Sequence, residues 1–123
     1  VLPLHPRTRN ILQQSGLTPD FITIDPVGYF DMIGLLQQCE MVVTDSGGVQ
    51  KEAFFFQKHC ITLREQTEWV ELTELGFNQL AGSDPVAIGE AFKKLMNQQS
   101  DFSVNLYGNG EAARKAAELI ATL

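Results

Sequence analysis

Short apolar runs alternate along this chain with segments whose apolar residues recur every three or four positions. Residues 1–5 read as a strand ended by Pro6, and residues 7–14 as a short helix stopped by Gly16. Residues 21–25 read as the next strand, followed by Pro26, Val27 and Gly28, and residues 29–38 carry Phe30, Ile33 and Leu36 at helical spacing. A strand over 41–44 leads into a helix over 47–57, and a strand over 60–63 into a helix over 68–75 closed by Gly76. A brief strand over 78–81 precedes a helix over 86–96, with Ile88, Phe92 and Leu95 on one face; after a turn at 107–110 an alanine-rich helix covers 111–123. Strands alternating with helices in this way predict an α/β fold whose parallel sheet is covered on both faces. No internal repeat, low-complexity tract or linker interrupts the pattern.

The most informative stretch is 41–53. A β-branched apolar run ends at Asp45-Ser46-Gly47-Gly48, and a helical pattern through Val49, Ala53 and Phe56 begins at once. Strand, tight glycine turn, helix aims backbone N–H groups and a helix dipole at an anion, usually phosphate. Gly47 and Gly48 let a phosphate approach without meeting a Cβ. Ser46 can cap the helix or offer its hydroxyl to a phosphate oxygen. The tetrapeptide alone reads equally well as an ordinary N-capped helix. Gln50 and Glu52 favour a ligand site: a carboxylate one turn into the helix suits a ligand that carries a diol as well as a phosphate, as a ribose does.

In α/β sheets ligands bind beyond the carboxyl ends of the strands. That rule places His5, Asp45, Ser46 and the segment Arg64-Glu65-Gln66-Thr67-Glu68 on one rim, with His59 at the entry of its strand on the other. His5 alone reads equally as a structural or a catalytic histidine, and its place on the rim favours catalysis. Arg64, just past a buried strand, is suited to charge-assisted hydrogen bonds with a phosphate. Arg7 and Arg9 read also as solvated faces of a short helix, the preferred reading for Arg9. Phe54, Phe55, Phe56 and Trp69 read as core.

The chain has 123 residues, 44% hydrophobic and 20% charged, enough for one globular domain with a core. A net charge of −6 argues against nucleic acid as the main partner, but not against a phosphorylated small molecule, because charge at the pocket decides that. No apolar run approaches a membrane span and no signal peptide is visible. The two cysteines, Cys39 and Cys60, lack metal-ligand spacing and read as buried, reduced thiols of a cytoplasmic protein. Val1 stands inside an apolar run, as though the chain were cut from something longer.

Pro3-Leu4-His5-Pro6-Arg7, Asp25-Pro26-Val27-Gly28-Tyr29, Thr44-Asp45-Ser46-Gly47-Gly48-Val49-Gln50-Lys51-Glu52-Ala53 and Leu63-Arg64-Glu65-Gln66-Thr67-Glu68-Trp69 follow in this order and spacing, with Tyr107-Gly108-Asn109-Gly110 near the end. Together they resemble the C-terminal half of the non-hydrolysing UDP-N-acetylglucosamine 2-epimerases. The resemblance implies a Rossmann-like, doubly wound parallel sheet, one half of a glycosyltransferase-B type two-domain fold, with residues 1–123 as its UDP-binding part. It implies that Ser46, Gly47 and Gly48 contact the diphosphate, Glu52 the ribose hydroxyls, and backbone near Tyr29 and Phe30 the uracil. His5 would lie near the β-phosphate and glycosidic oxygen, Arg64 would complete the anion site, and Arg7 would also bind the substrate. No cofactor and no metal are implied.

The implied chemistry interconverts UDP-N-acetylglucosamine and its manno epimer by eliminating UDP across C1 and C2 and adding it back. The carboxylates that handle the C2 proton belong to an N-terminal domain, and a His-Arg-x-Glu-Asn segment of the family precedes the point where this chain starts. The chain alone is therefore expected to hold UDP weakly and to epimerise nothing. Its uncovered first strand is expected to drive self-association, a dimer among the forms, as an artefact of the fragment; the enzyme itself is expected to be a homodimer. Trp69 replaces an arginine common in relatives, which leaves open a diacetylated or uronic UDP-sugar. The donor half of a glycosyltransferase, a hydrolysing epimerase and a non-catalytic nucleotide-binding module share parts of this pattern. The register of His5-Pro6 with Asp45-Ser46-Gly47-Gly48 speaks against the glycosyltransferase, and the joint presence of His5, Ser46, Glu52 and Arg64 against the non-catalytic module.

Overall fold

A computed structural model describes residues 1–122. The backbone forms two compact units, Val1–Cys39 and Glu40–Leu123. In the first, β1 (Leu2–Pro3) pairs in parallel with β2 (Thr23–Ile24), with Leu2 opposite Thr23 and Pro3 opposite Ile24. Helix α1 (Pro6–Gln14) connects them, and α2 (Tyr29–Gln38) follows. Both strands are shorter than the apolar runs predict. Proline lacks the N–H that would extend a ladder, so pairing rests on Leu2 N–H to Ile22 and Leu4 N–H to Ile24. Pro6 opens α1 rather than ending a strand; its fixed φ suits the first helical position.

The second unit holds β3 (Met41–Thr44), α3 (Gly47–Phe55), β4 (His59–Thr62), α4 (Val70–Glu74), β5 (Asn78–Leu80), α5 (Pro85–Met96) and α6 (Ala112–Ala121). Its sheet runs β3-β4-β5, all parallel, with Val42 opposite Cys60 and Cys60 opposite Asn78. The strands thus form two parallel sheets where the pattern suggested one, in an α/β, Rossmann-like arrangement. Central β4 is buried along Cys60, Ile61 and Thr62, whereas Val43 on the edge strand β3 is half-exposed. Ile61, Ala81, Ala91 and Leu95 form one core cluster. Phe54, Leu72 and Phe77 form another, flanked by Trp69, Phe102, Leu106 and Tyr107.

Several expected core positions lie elsewhere. Only Phe54 of the phenylalanine triplet is buried, and Phe55 is 57% exposed: successive helical residues point 100° apart, so three in a row cannot share one face. Phe30 and Phe92 are also exposed, and the buried residues of α5 are Ala91 and Leu95. Cys60 is buried, but Cys39 is only half-buried. Helix α4 begins two residues later than expected, because the Thr67 hydroxyl takes the Trp69 N–H and holds that stretch as a turn. The terminal helix is described from Ala112 to Ala121, and Leu123 lies outside the described residues. No helix among the described residues is long and apolar enough to cross a membrane.

Candidate functional site

In the first unit His5 is the N-cap of α1, and its Nδ1 accepts the Arg7 backbone N–H at 3.2 Å. As the acceptor of that bond Nδ1 carries no proton, which leaves Nε2 as the ring's donor. Arg7 is exposed. Arg9 is not simply solvated: its guanidinium meets Asp25 at 2.6 Å, tying α1 to the segment after β2. Because β1 and β2 are parallel, His5 and the Asp25–Tyr29 stretch leave the same end of this sheet. Tyr29 and Phe30 open α2 as an exposed edge-to-face pair with centroids 5.9 Å apart.

The second unit builds the glycine turn. Ser46 is extended and stands at the N-cap of α3, yet its side chain makes no capping bond. Its hydroxyl is thereby spared for another partner, and the first N–H groups of α3 are left without a side-chain cap. Thr44 instead takes the Ser46 N–H through its hydroxyl at 3.0 Å. β3 and β4 are parallel, so Asp45–Gly48 and Arg64–Glu68 emerge at one end of the sheet. Arg64 Nη1 donates to Glu68 Oε2 at 3.1 Å, and the pair lies over Gly47. A Cβ on Gly47 would stand 3.6 Å from Arg64 Nη1 and 3.2 Å from Glu68 Cδ, and would collide with Glu68 Oε1. Gly48 faces open space. A side chain at 47 would therefore have to displace the Glu68 carboxylate; glycine there leaves room for it and is not required by a special backbone angle.

A buried polar network beneath the turn was not legible as a site. Gln50, 1% exposed, accepts from Thr67 Oγ1 at 2.6 Å and from Asn78 Nδ2 at 2.9 Å, and donates to the Ser46 carbonyl at 3.2 Å. Asn78 in turn accepts from Thr62 Oγ1 at 2.8 Å. Polar residues buried inside strands, as Thr62 and Asn78 are, require such partners; that requirement is the signal that could have revealed the network. Trp69 adds a bond from its indole N–H to the Gly47 carbonyl.

Further along α3, Glu52 is half-buried with no side-chain hydrogen bond or ion pair among the described residues. Lys51 is held among aromatic rings, its ammonium 4.3 Å from the Tyr107 centroid and 4.7 Å from that of Trp69. Burial, and then the neighbouring Glu71 carboxylate, push the Tyr107 phenol well above its usual range. The Tyr107 hydroxyl in turn holds the Glu71 carboxyl below its usual range. His59 enters β4 as expected, bonded to Ser100 at 2.8 Å, and partial burial lowers its pKa. No His, Cys, Asp and Glu group among the described residues is arranged to hold a metal ion.

The sequence is 50% identical over its whole length to the UDP-2,3-diacetamido-2,3-dideoxy-D-glucuronate 2-epimerase of Pseudomonas aeruginosa, covering 35% of that protein. A UDP-N-acetylglucosamine 2-epimerase homolog of Methanococcus maripaludis is 40% identical over the whole chain, which covers 36% of it. The chain thus spans about a third of the length of the curated relatives it matches. Its fold superimposes with a TM-score of 0.84 on Methanocaldococcus jannaschii UDP-GlcNAc 2-epimerase in complex with UDP-GlcNAc and UDP, at 33% identity, over 97% of this chain and 34% of that one. The sequence profile of the UDP-N-acetylglucosamine 2-epimerases matches residues 1–121, and the chain belongs to that family.

Proposed function

We propose that residues 1–123 are the C-terminal, UDP-binding part of a longer UDP-2-acetamido-sugar 2-epimerase with a glycosyltransferase-B type fold. The observation that carries this reading is the start of α3. There a helix N-terminus lacking a side-chain cap, two glycines and the Arg64 guanidinium meet at one sheet end, in a chain whose family acts on UDP-sugars. Ser46, Gly47, Gly48 and Arg64 take the diphosphate, Glu52 the ribose diol, and backbone at Tyr29 and Phe30 the uracil. His5, with Nε2 as its donor, serves the β-phosphate and glycosidic oxygen, and Arg7 places positive charge near the anionic substrate.

A base from the rest of the enzyme removes the C2 proton while the C1–O bond breaks, and UDP departs with the electron pair. The intermediate is an unsaturated sugar. Protonation of C2 from the opposite face and attack of the UDP oxygen on C1 return a product of the same composition. His5 donates to the leaving oxygen, and Arg64 with the helix dipole stabilises the growing charge on diphosphate. We place the reaction in the cytoplasm, in the supply of activated sugars for polysaccharides, with the enzyme as a homodimer. Incubating the full-length protein with UDP-N-acetylglucosamine in D2O should give the manno epimer with deuterium at C2 by NMR. Absence of both epimer and deuterium exchange at C2 with this sugar and with the second candidate below overturns the reading. The 50% identity to the Pseudomonas aeruginosa relative favours a second candidate substrate, UDP-2,3-diacetamido-2,3-dideoxy-D-glucuronate; the same assay with that sugar separates the two.

A further inference from the structure

We propose that Glu68 is a resident anion of the diphosphate site, a carboxylate that competes with the ligand for Arg64 and swings aside when the diphosphate binds. This rests on the functional reading above. The Glu68 carboxylate lies against the first turn of α3, in the room left by the missing side chain of Gly47, with its Oε2 on Arg64 Nη1 at 3.1 Å. A carboxylate beside a helix N-terminus and an arginine has the charge and acceptor chemistry of a phosphate. Among the described residues no side chain, Ser46 and Glu68 included, accepts from the first N–H groups of α3; Glu68 occupies the space beside them and is held there by Arg64.

The surroundings determine what can move. Thr67 is bonded through its hydroxyl to buried Gln50 at 2.6 Å, and Trp69 is held at both its backbone N–H and its indole N–H. Backbone on either side of Glu68 is therefore pinned, while its side chain is 52% exposed and makes one half-exposed ion pair. Such pairs are weak and easily exchanged, and a rotamer change suffices to clear the space. A diphosphate, with more charge and more acceptor oxygens than one carboxylate, takes over Arg64 and the N–H groups without opening the loop.

The test is UDP titration calorimetry on the full-length protein, with thermal melts to show that each variant is folded. Glu68→Gln and Glu68→Ala should bind UDP roughly two- to fivefold more tightly than wild type, the scale set by losing one exposed competing pair. In an Arg64→Ala background the gain should shrink toward none. If Glu68 instead serves to orient Arg64, both single variants bind UDP more weakly, and the proposal is overturned. A gain of equal size with and without Arg64 overturns it as well. Wild type that binds UDP with neither variant tighter removes this proposal alone, whereas failure of all three proteins to bind UDP removes the diphosphate reading with it.

Discussion

The indole N–H of Trp69 donates to the carbonyl oxygen of Gly47 at 2.8 Å, across 22 residues of sequence. The bond fastens the first turn of α3 to the loop after β4, so a residue that reads as core also positions the turn. Trp69→Phe keeps the ring over Lys51 and against Tyr107 but removes the donor. We expect a stability loss of about 1 kcal/mol, the net value of one such bond, and a UDP affinity reduced severalfold. Urea denaturation and calorimetry on the same preparations check both; unchanged UDP binding would show that the bond serves packing alone.

Gln50 satisfies three partners from a position 1% exposed. In Gln50→Leu the Thr67 hydroxyl and the Asn78 amide lose their common acceptor, and each buried group left unpaired costs about 1–3 kcal/mol. We expect a total loss of about 3 kcal/mol. Because the same side chain holds the Ser46 carbonyl, UDP affinity should fall with it. A melting temperature within a degree of wild type would mean that the network is dispensable.

The glycine turn, the alternation of strand and helix and the residues at the strand ends were legible because each rests on local pattern: periodicity, β-branching and turn chemistry. What escaped depends on tertiary partners. Nothing local distinguishes Phe54, buried, from Phe55, exposed on the same helix. The pairing of Arg64 with Glu68 could be anticipated from i, i+4 spacing, but not its position over Gly47. Gln50 was noticed as part of a motif, whereas its bonds to Thr67 and Asn78 span 17 and 28 residues. The break into two parallel sheets depends on which strands pair, which short apolar runs do not encode.

His59 gives a pH dependence. Ser100 Oγ receives the Gln98 amide at 2.9 Å and faces His59 Nε2 at 2.8 Å, an arrangement that suits Ser100 donating to a neutral imidazole. Burial lowers the folded-state pKa, so the unfolded chain binds the proton more readily. Stability from the neutral ring is complete above the unfolded value, near 6.5, and is lost as pH falls through it toward the folded one. Melting temperature should therefore drop more between pH 8 and pH 5.5 in wild type than in His59→Gln. Equal drops would remove His59 as the source.

His5 has two separable duties. Its Nδ1 caps α1, and its Nε2–H is assigned to the leaving oxygen. His5→Ala loses both: about 1 kcal/mol of stability for the cap and roughly 10²–10⁴ in kcat for a positioned acid. His5→Asn retains a capping acceptor, so stability should return while kcat stays low. UDP affinity should change little in either variant. If Asn restores turnover together with stability, His5 acts only as a cap.

Glu52 tests whether the site is made for a nucleotide or for any phosphate. It is half-buried on α3 and makes no side-chain bond among the described residues, so its carboxylate oxygens can accept from both ribose hydroxyls. A ligand lacking one hydroxyl leaves the carboxylate partly unpaired after desolvation, which costs about 1–3 kcal/mol. The full-length protein should then bind UDP about tenfold or more tightly than 2′-deoxy-UDP. Glu52→Ala should abolish that preference, because no acceptor is left to report the missing hydroxyl. Ser46→Ala should weaken both nucleotides alike, because its hydroxyl is assigned to the diphosphate they share. Calorimetric titration of three proteins with two nucleotides separates these outcomes. A wild-type protein that binds the two nucleotides equally would make Glu52 a solvated helix residue, and the ribose would need another partner.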